Sequence, residues 1–538
     1  MVIIQGKGVS GGIAIGPLYR FRRSAAAFSK ARSGDLAEER ERLAAARASS
    51  AARLEELAGR CVDPEAAVLF QTHAMMVEDE DFCACAAALL EEGCSAEYAV
   101  QCAGERFAAL FSAMDDPYMR ERAEDIRDVA RRIVDELLGT TPGGDGPALP
   151  CVIYAGDLSP SELVQLPRER VLGLALRQGG ATSHTAILAR TMGIPTVCAL
   201  EGELPGGLEG RLCCLDGETG RVVLEPDREM LSAMAEKLGT QVEERRCLEE
   251  LRGREDVTQD GRRLSICCNI GRPEEAAEVL RQDGRGIGLF RSEFLYLGSE
   301  QLPDEETQFQ AYRAVAQTMA GKRVVIRTLD VGADKQAPCL DLEGEENPAL
   351  GMRGVRVSLA RPELFKTQLR AIYRASAYGK VAVMFPMITA VWEVRACKAL
   401  CCQVIDELAR EGMPHDRDVE IGVMIETPAA VLLAEELARE VDFFSVGTND
   451  LTQYILACDR QHAGLGRTAD PRHPAVLRSL KMAADAAHAA GIRIGICGEL
   501  AGEVDLLGDF LDMGIDELSV APGRVLPVRK ALRRLCKE

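Results

Sequence analysis

The sequence predicts a multidomain α/β protein that ends in a (β/α)8 TIM-type barrel, and three observations predict it. From about residue 255 to 538, eight short apolar runs alternate with helical patterns, which is the size of a closed eight-stranded barrel. From about 33 to 139 the texture is Ala, Glu, Arg and Leu at helical spacing. Between these zones, residues 150–225 return to short strands and helices. An open doubly wound sheet is the alternative for the last zone, but the glycine fingerprint of a dinucleotide fold is missing.

In chain order, residues 2–20 alternate Val, Ile and Gly and read as one glycine-bent strand. The helical zone reads as four helices. One starts at Asp63 as N-cap with Pro64 in its first turn, and another runs from Asp116-Pro117 to a stop at Gly139. Thr141 to Pro147 is rich in Gly and Pro and reads as a linker. Strands follow at 150–154, 171–176 and 221–224, then a charged helical stretch at about 227–252. The barrel strands are expected at 264–269, 286–290, 324–328, 381–385, 420–425, 442–446, 493–497 and 517–520.

Composition limits the function. Over 538 residues, 84 acidic side chains face 64 basic ones, a net charge of −20, which disfavours nucleic-acid binding. No apolar run reaches the length of a membrane span, so no membrane insertion is expected. Met1 to Ser10 carries neither a basic leader nor an apolar core. With 19 cysteines, no CxxC and six histidines, the chain reads as cytoplasmic, its thiols reduced and mostly buried.

In such a barrel, catalytic groups lie just past the C-terminal ends of the strands. That rule selects Arg291, Arg327, Asp330, Glu426, Asn449-Asp450, Arg460, Cys497 and Glu499. Arginine forks match phosphate and carboxylate oxygens, and magnesium takes one or two carboxylates plus substrate oxygens and water. Arginines and carboxylates on one mouth therefore suggest a multiply anionic substrate with a divalent cation, although any one of them alone reads as a rim salt bridge. A second constellation is Gly179-Gly180-Ala181-Thr182-Ser183-His184-Thr185. It places His184 at a helix N-terminus, where the dipole favours phosphate and keeps the imidazole neutral and nucleophilic. A capping or core histidine is the other reading, and no third residue suggests a serine triad.

GGATSHTAILAR closely resembles the phosphohistidine motif of phosphoenolpyruvate-utilising enzymes. GIGLFRSEFLY, RTLDVGADK, IETPAAV, SVGTNDLTQY, ACDR and CGELAG resemble their phosphoenolpyruvate site. With GVSGGIAIGPLY, THAMMVEDEDF and DLSPSE also matching, the chain resembles the Enzyme I family of the sugar phosphotransferase system, phosphoenolpyruvate–protein phosphotransferases, from end to end. The resemblance implies a swivelling phosphohistidine α/β domain (1–20 plus 145–225) with an inserted α-helical domain (25–142) that binds the phosphocarrier HPr. A helical linker (227–252) and a barrel (255–538) that binds phosphoenolpyruvate and dimerises would follow.

The same resemblance makes His184 the phosphorylated nucleophile, through Nε2, and Cys497 the proton donor to enolpyruvate. Arg291, Arg327, Arg353, Asn449, Asp450 and Arg460 would bind substrate, and Glu426 and Asp450 would hold Mg2+. A homodimer through the barrel follows too. The run Glu78 to Asp81, with His73, Met75 and Met76 as an adjoining patch, is where the carrier is expected; the other reading is that His73 flanks an apolar helical stripe and that the acidic run is a solvated face. Because one histidine must serve both the barrel and the carrier, a swivel about 227–252 is expected. The sequence departs from the family at Gly351-Met352-Arg353, where a tryptophan usually precedes the arginine, and along Gln461 to His473, which lacks the usual aromatic stretch. A nucleotide-using dikinase would need an added ATP-binding region that is not evident. A barrel lyase would leave His184 merely structural, and a degenerate scaffold would not keep the whole charged set.

Overall fold

The computed structural model describes all residues except 23–27, 33, 61–63, 115–116, 140–145, 181–182, 203–206, 298–300, 332–336, 341, 343–344, 460–461, 463–464, 466–467 and 537–538, and except the side chains of 60, 64–68, 117–121 and 184. The expected cap Asp63, the start at Asp116 and most of the 141–147 linker lie outside the described residues. The chain divides into two compact units, Met1–Arg245 and Arg246–Glu538.

The first unit is built on a sheet of eight strands: β1 (Val2–Gln5), β2 (Lys7–Ser10), β3 (Ile13–Arg20), β4 (Cys151–Ala155), β5 (Val171–Leu176), β6 (Thr196–Cys198), β7 (Leu212–Asp216) and β8 (Arg221–Leu224). Their order is β1-β8-β7-β3-β4-β5-β6-β2. The single strand expected over 2–20 is three. Gly6 and Gly12 break it: a Cβ on Gly6 would stand 2.7 Å from the Cys198 carbonyl oxygen, and Gly12 has φ +120°. Strands β3 and β4 pair in parallel, Leu18 opposite Val152, although about 130 residues separate them.

The helices leave the sheet between those two strands. They are α1 (Leu36–Arg60), α2 (Pro64–Glu78), α3 (Glu80–Glu91), α4 (Ala96–Ser112) and α5 (Pro117–Leu138). Five helices replace the expected four because Asp79 separates α2 from α3 without a glycine or proline: its side chain accepts the Phe82 amide at 2.8 Å and caps α3. Glu78 to Asp81 is exposed, as is Met75, but His73 is fully buried. His73 therefore does not belong to a surface patch; its place one turn before Val77 puts it on the apolar stripe that faces α5. Three more helices, α6 (Pro160–Gln165), α7 (His184–Thr191) and α8 (Arg228–Glu249), follow in the remainder of this unit and its border.

The second unit closes eight parallel strands into a barrel: β9 (Ser265–Ile270), β10 (Ile287–Arg291), β11 (Val324–Arg327), β12 (Val381–Phe385), β13 (Glu420–Ile425), β14 (Phe443–Val446), β15 (Arg493–Ile496) and β16 (Glu517–Val520). Every one lies within a residue of its expected place, because strands buried on both faces read as continuous apolar runs. Among the described residues no helix is long and apolar enough to cross a membrane.

The barrel is closed at its N-terminal face by a charged clasp. Arg529, on the helix Val525–Leu532, is wholly buried and donates to Asp256 and Asp283, while Arg285 holds the other oxygen of Asp256 at 2.7 Å. Removing one member of such a set leaves an uncompensated buried charge. Arg529→Met is expected to destabilise the barrel by about 3–5 kcal/mol. Loss of far-UV circular dichroism during urea unfolding reads the effect.

Candidate active site

Parallel register sets the level of the mouth. Arg291 pairs with Arg327 across β10 and β11. Ile425 pairs with Val446 and Val446 with Ile496, so Glu426, Gly447 and Cys497 emerge together. The groups surround a cavity of about 600 Å³. Into it come Arg291, Arg327, Asp330, Arg353, Glu426, Asn449, Asp450 and Cys497, all but Arg353 residues that the sequence places at strand ends or in the quoted motifs. Arg460 lies outside the described residues.

The charges are organised around Asp330, which is 1% exposed. Arg353 donates to both of its oxygens, at 3.2 and 3.0 Å, and Arg327 lies 3.0 Å from one of them. Arg353 also reaches Asp450 at 3.2 Å and the Tyr454 hydroxyl at 3.2 Å, and Arg327 donates to Glu293. Burial works against both guanidinium charges, but the carboxylates outweigh it: Glu293 and Asp330 at Arg327, Asp330 and Asp450 at Arg353. Both are held above the usual arginine value. Glu499 ties down Asn449: its backbone N–H donates to the Asn449 side-chain oxygen at 3.0 Å, and the Asn449 amide donates back to its carboxylate at 3.2 Å.

Glu426 is fully buried. Burial, then repulsion from Asp330 and Asp450, pushes its carboxyl up to about 8. One oxygen accepts the Met387 amide at 2.6 Å, from a residue at φ +58°. The other oxygen is buried without a partner. Gly447 leaves room there, since a Cβ on it would stand 2.7 Å from that oxygen. An orphaned carboxylate oxygen beside a second carboxylate fits a hard divalent cation that draws the rest of its shell from substrate and water. Among the described residues no group of three His, Cys, Asp or Glu forms a cage for a metal. Cys497 is buried, and burial pushes its thiol up to about 11, with hydrogen bonding from Ser445 working against it. It is therefore a neutral thiol at neutral pH.

The histidine motif lies in the first unit, at the start of α7. Ser183 is the N-cap, accepting from the Ala186 amide at 3.3 Å and donating to the Gly180 carbonyl at 3.0 Å. Gly179 has φ +95°, a conformation that glycine adopts without strain. His184 is the first helical residue; its side chain lies outside the described residues. Sequence reasoning missed Glu293 and Met387. Glu293 sits two residues past Arg291, where the strand-end rule could have found it, whereas nothing in the sequence marks the Met387 amide.

Comparison with known proteins gives a consistent picture. The PEP-binding domain of PEP-utilising enzymes matches residues 245–536, their N-terminal domain 5–122 and their mobile domain 148–220. The phosphoenolpyruvate-protein phosphotransferase of Priestia megaterium is 39% identical over 541 residues, covering 99% of this chain and 94% of that protein. The same-named protein of Bacillus subtilis (strain 168) is 37% identical over 540 residues, covering 99% and 95%. A solution NMR structure of an Enzyme I protein (nEIt) is 30% identical, covers 44% of this chain and 99% of that one, and has a TM-score of 0.36.

Glu426 makes stability depend on pH. Its carboxyl holds a proton up to about 8 in the folded protein, against 4.5 for an ordinary glutamate. Between those limits the folded state binds more protons than the unfolded one, so stability falls as pH rises through the window. In chelator-treated protein, Glu426→Gln is expected to flatten the decline of the melting temperature across that range. Adding a divalent cation to the wild type should release protons, read with an indicator dye in weak buffer.

Proposed function

The chain belongs to the phosphoenolpyruvate–protein phosphotransferases, enzymes of phosphoenolpyruvate-dependent phosphoryl transfer, and from that membership we propose its full cycle. Phosphoenolpyruvate gives its phosphoryl group to His184, pyruvate leaves, and His184 passes the group to a histidine of the phosphocarrier HPr. This is the first step of sugar uptake by the phosphotransferase system, carried out in the cytoplasm by a homodimer joined through the barrel. The observation that carries the reading is the mouth itself, where Arg291, Arg327 and Arg353 share one cavity with Glu426, Asp450 and Cys497.

Each group has a part. Arg291, Arg327, Arg353 and Arg460 bind the carboxylate and phosphate of the substrate, two bonds at a time where the fork allows. Asn449 and Asp450 complete that site. Glu426 and Asp450 hold Mg2+, which supplies positive charge against the transferring phosphoryl group. The neutral thiol of Cys497 delivers a proton to the methylene carbon as enolpyruvate becomes pyruvate. Its raised pKa keeps the proton on sulfur until the carbon develops charge.

The domain assignment goes with this cycle. Residues 1–20 with 145–225 form the phosphohistidine domain, 25–142 the inserted carrier-binding domain, 227–252 the helical linker and 255–538 the phosphoenolpyruvate-binding and dimerisation domain. His184 has to visit the barrel mouth and the docked carrier in turn. The exposed acidic run Glu78 to Asp81 suits a basic carrier.

Incubation with phosphoenolpyruvate and Mg2+ is expected to add one acid-labile phosphoryl group by intact mass, transferable to HPr and absent in His184→Ala. No gain in the wild type would sink the proposal. Cys497→Ala is expected to slow pyruvate release about 10²–10⁴-fold, measured by a coupled assay. Transfer to HPr should slow as ionic strength rises, because acidic steering is screened by salt.

A further inference from the structure

A buried polar thread runs from the inserted helices to the helix that begins at His184. It starts at His73 on α2, with ring nitrogens 3.3 Å from an Asp125 oxygen and 3.8 Å from an Asp128 oxygen. The same Asp128 oxygen accepts from the Ser161 hydroxyl at 2.9 Å, and Ser161 lies 3.0 Å from the Ser159 hydroxyl. Ser159 caps α6 reciprocally with Glu162: the Glu162 amide donates to its hydroxyl at 3.3 Å, and its own amide donates to the Glu162 carboxylate at 2.7 Å. The preceding carbonyl, Leu158, accepts from the Thr185 hydroxyl at 2.6 Å. Thr185 is the residue after His184.

His73, Asp125, Asp128, Ser159, Ser161, Glu162 and Thr185 are all buried. Beside the thread lies a cavity of about 290 Å³, bounded by Asp125 and Asp128 on one side and by Ser183 and Thr185 on the other. Apolar side chains would join α5 to α6 without the desolvation that two carboxylates and a histidine incur. The His73 ring nitrogens lie near these carboxylates without hydrogen bonds to them, so the bonded part of the thread is Asp128–Ser161–Ser159 and Leu158–Thr185; what such a set of hydrogen bonds adds is a fixed arrangement. The helix it reaches, α7, has only 8 residues, and the Thr185 hydroxyl ties its first turn to Leu158, the residue before the α6 cap.

We propose that Asp128 is a positioning residue for His184: through Ser161, Ser159 and Leu158 it holds Thr185, and with it the first turn of the histidine helix. The inference rests on His184 being the residue that carries the phosphoryl group. The inserted domain then has a role in the chemistry apart from docking, because misplacing a nucleophile by even an ångström forfeits in-line geometry.

The test uses the full-length protein with phosphoenolpyruvate and Mg2+, in rapid-quench phosphorylation together with melting temperatures. Asp128→Leu and Ser161→Ala are expected to slow phosphorylation about 10- to 100-fold, with the KM for phosphoenolpyruvate unchanged. Asp128→Asn, which keeps an oxygen for Ser161, should recover much of the rate. The Asp128→Leu/Ser161→Ala double variant should be no slower than the worse single, as expected of two parts of one path. Ser161→Ala removes a single atom and serves on its own if Asp128→Leu does not fold. Melting temperatures that fall while the rate holds, or single effects that multiply in the double, overturn the proposal and leave the thread as packing. Wild-type protein phosphorylated at His184 with unaffected variants overturns this inference alone, whereas a wild type that gains no phosphoryl group at His184 overturns the proposed function with it.

Discussion

Asp330 is the constraint on which the barrel mouth depends. Two arginines share this one buried carboxylate, which helps both keep their charge out of water, since a buried charge survives only when paired. The sharing has a consequence for Glu426. Arg327 is engaged by Glu293 and Asp330, and Arg353 by Asp330 and Asp450. Little positive field is left over for the remaining carboxyl, which burial and its neighbours drive to hold its proton. Among the described lining residues, Arg291, Arg327 and Arg353 face Glu293, Asp330, Glu426, Asp450 and Glu499. A multiply charged anion entering such a mouth meets an excess of its own sign. Favourable binding then calls for a cation that neutralises carboxylates or for an exchange of partners by the arginines.

That arrangement is a product of register. Strands that pair Arg291 with Arg327 and Ile425 with Val446 bring four chain segments to one level. A closed parallel barrel allows no independent slip of one strand, because both of its edges are paired. Close approach is built in by small residues: Gly447 clears Glu426, and Gly498 sits where a Cβ would fall 2.0 Å from the Thr448 hydroxyl. Beneath the site Met384, Met424 and Phe443 are packed in the barrel interior.

Much of this was legible in the sequence, and the reason differs by region. The eight barrel strands stand out because each is an apolar run between helical patterns, and the site residues follow because strand ends are countable. Partnerships are not countable. That Arg353 closes on Asp330 from 23 residues away, or that Met387 turns its amide toward Glu426, depends on tertiary geometry that no spacing encodes. The helical zone was harder still. Asp79 divides two helices with a side-chain cap where no glycine or proline marks a break. His73 flanks both an apolar stripe and an acidic run in sequence, and the structure buries it against carboxylates that lie some 50 residues later on α5.

The cysteines show where protonation state stops being informative. Burial raises Cys151, Cys198 and Cys497 alike to about 11, so none of the three is an activated thiolate. What separates Cys497 is that it borders an open cavity lined by arginines, while the other two are packed in the cores of the first unit. A nucleophilic cysteine is found by its lowered pKa, but a proton donor is not. For a donor, a high pKa is ordinary and access to the reacting carbon is the rare property. Cys497 borders the cavity through its place at the end of β15, and no composition count could have weighted it above the other thiols.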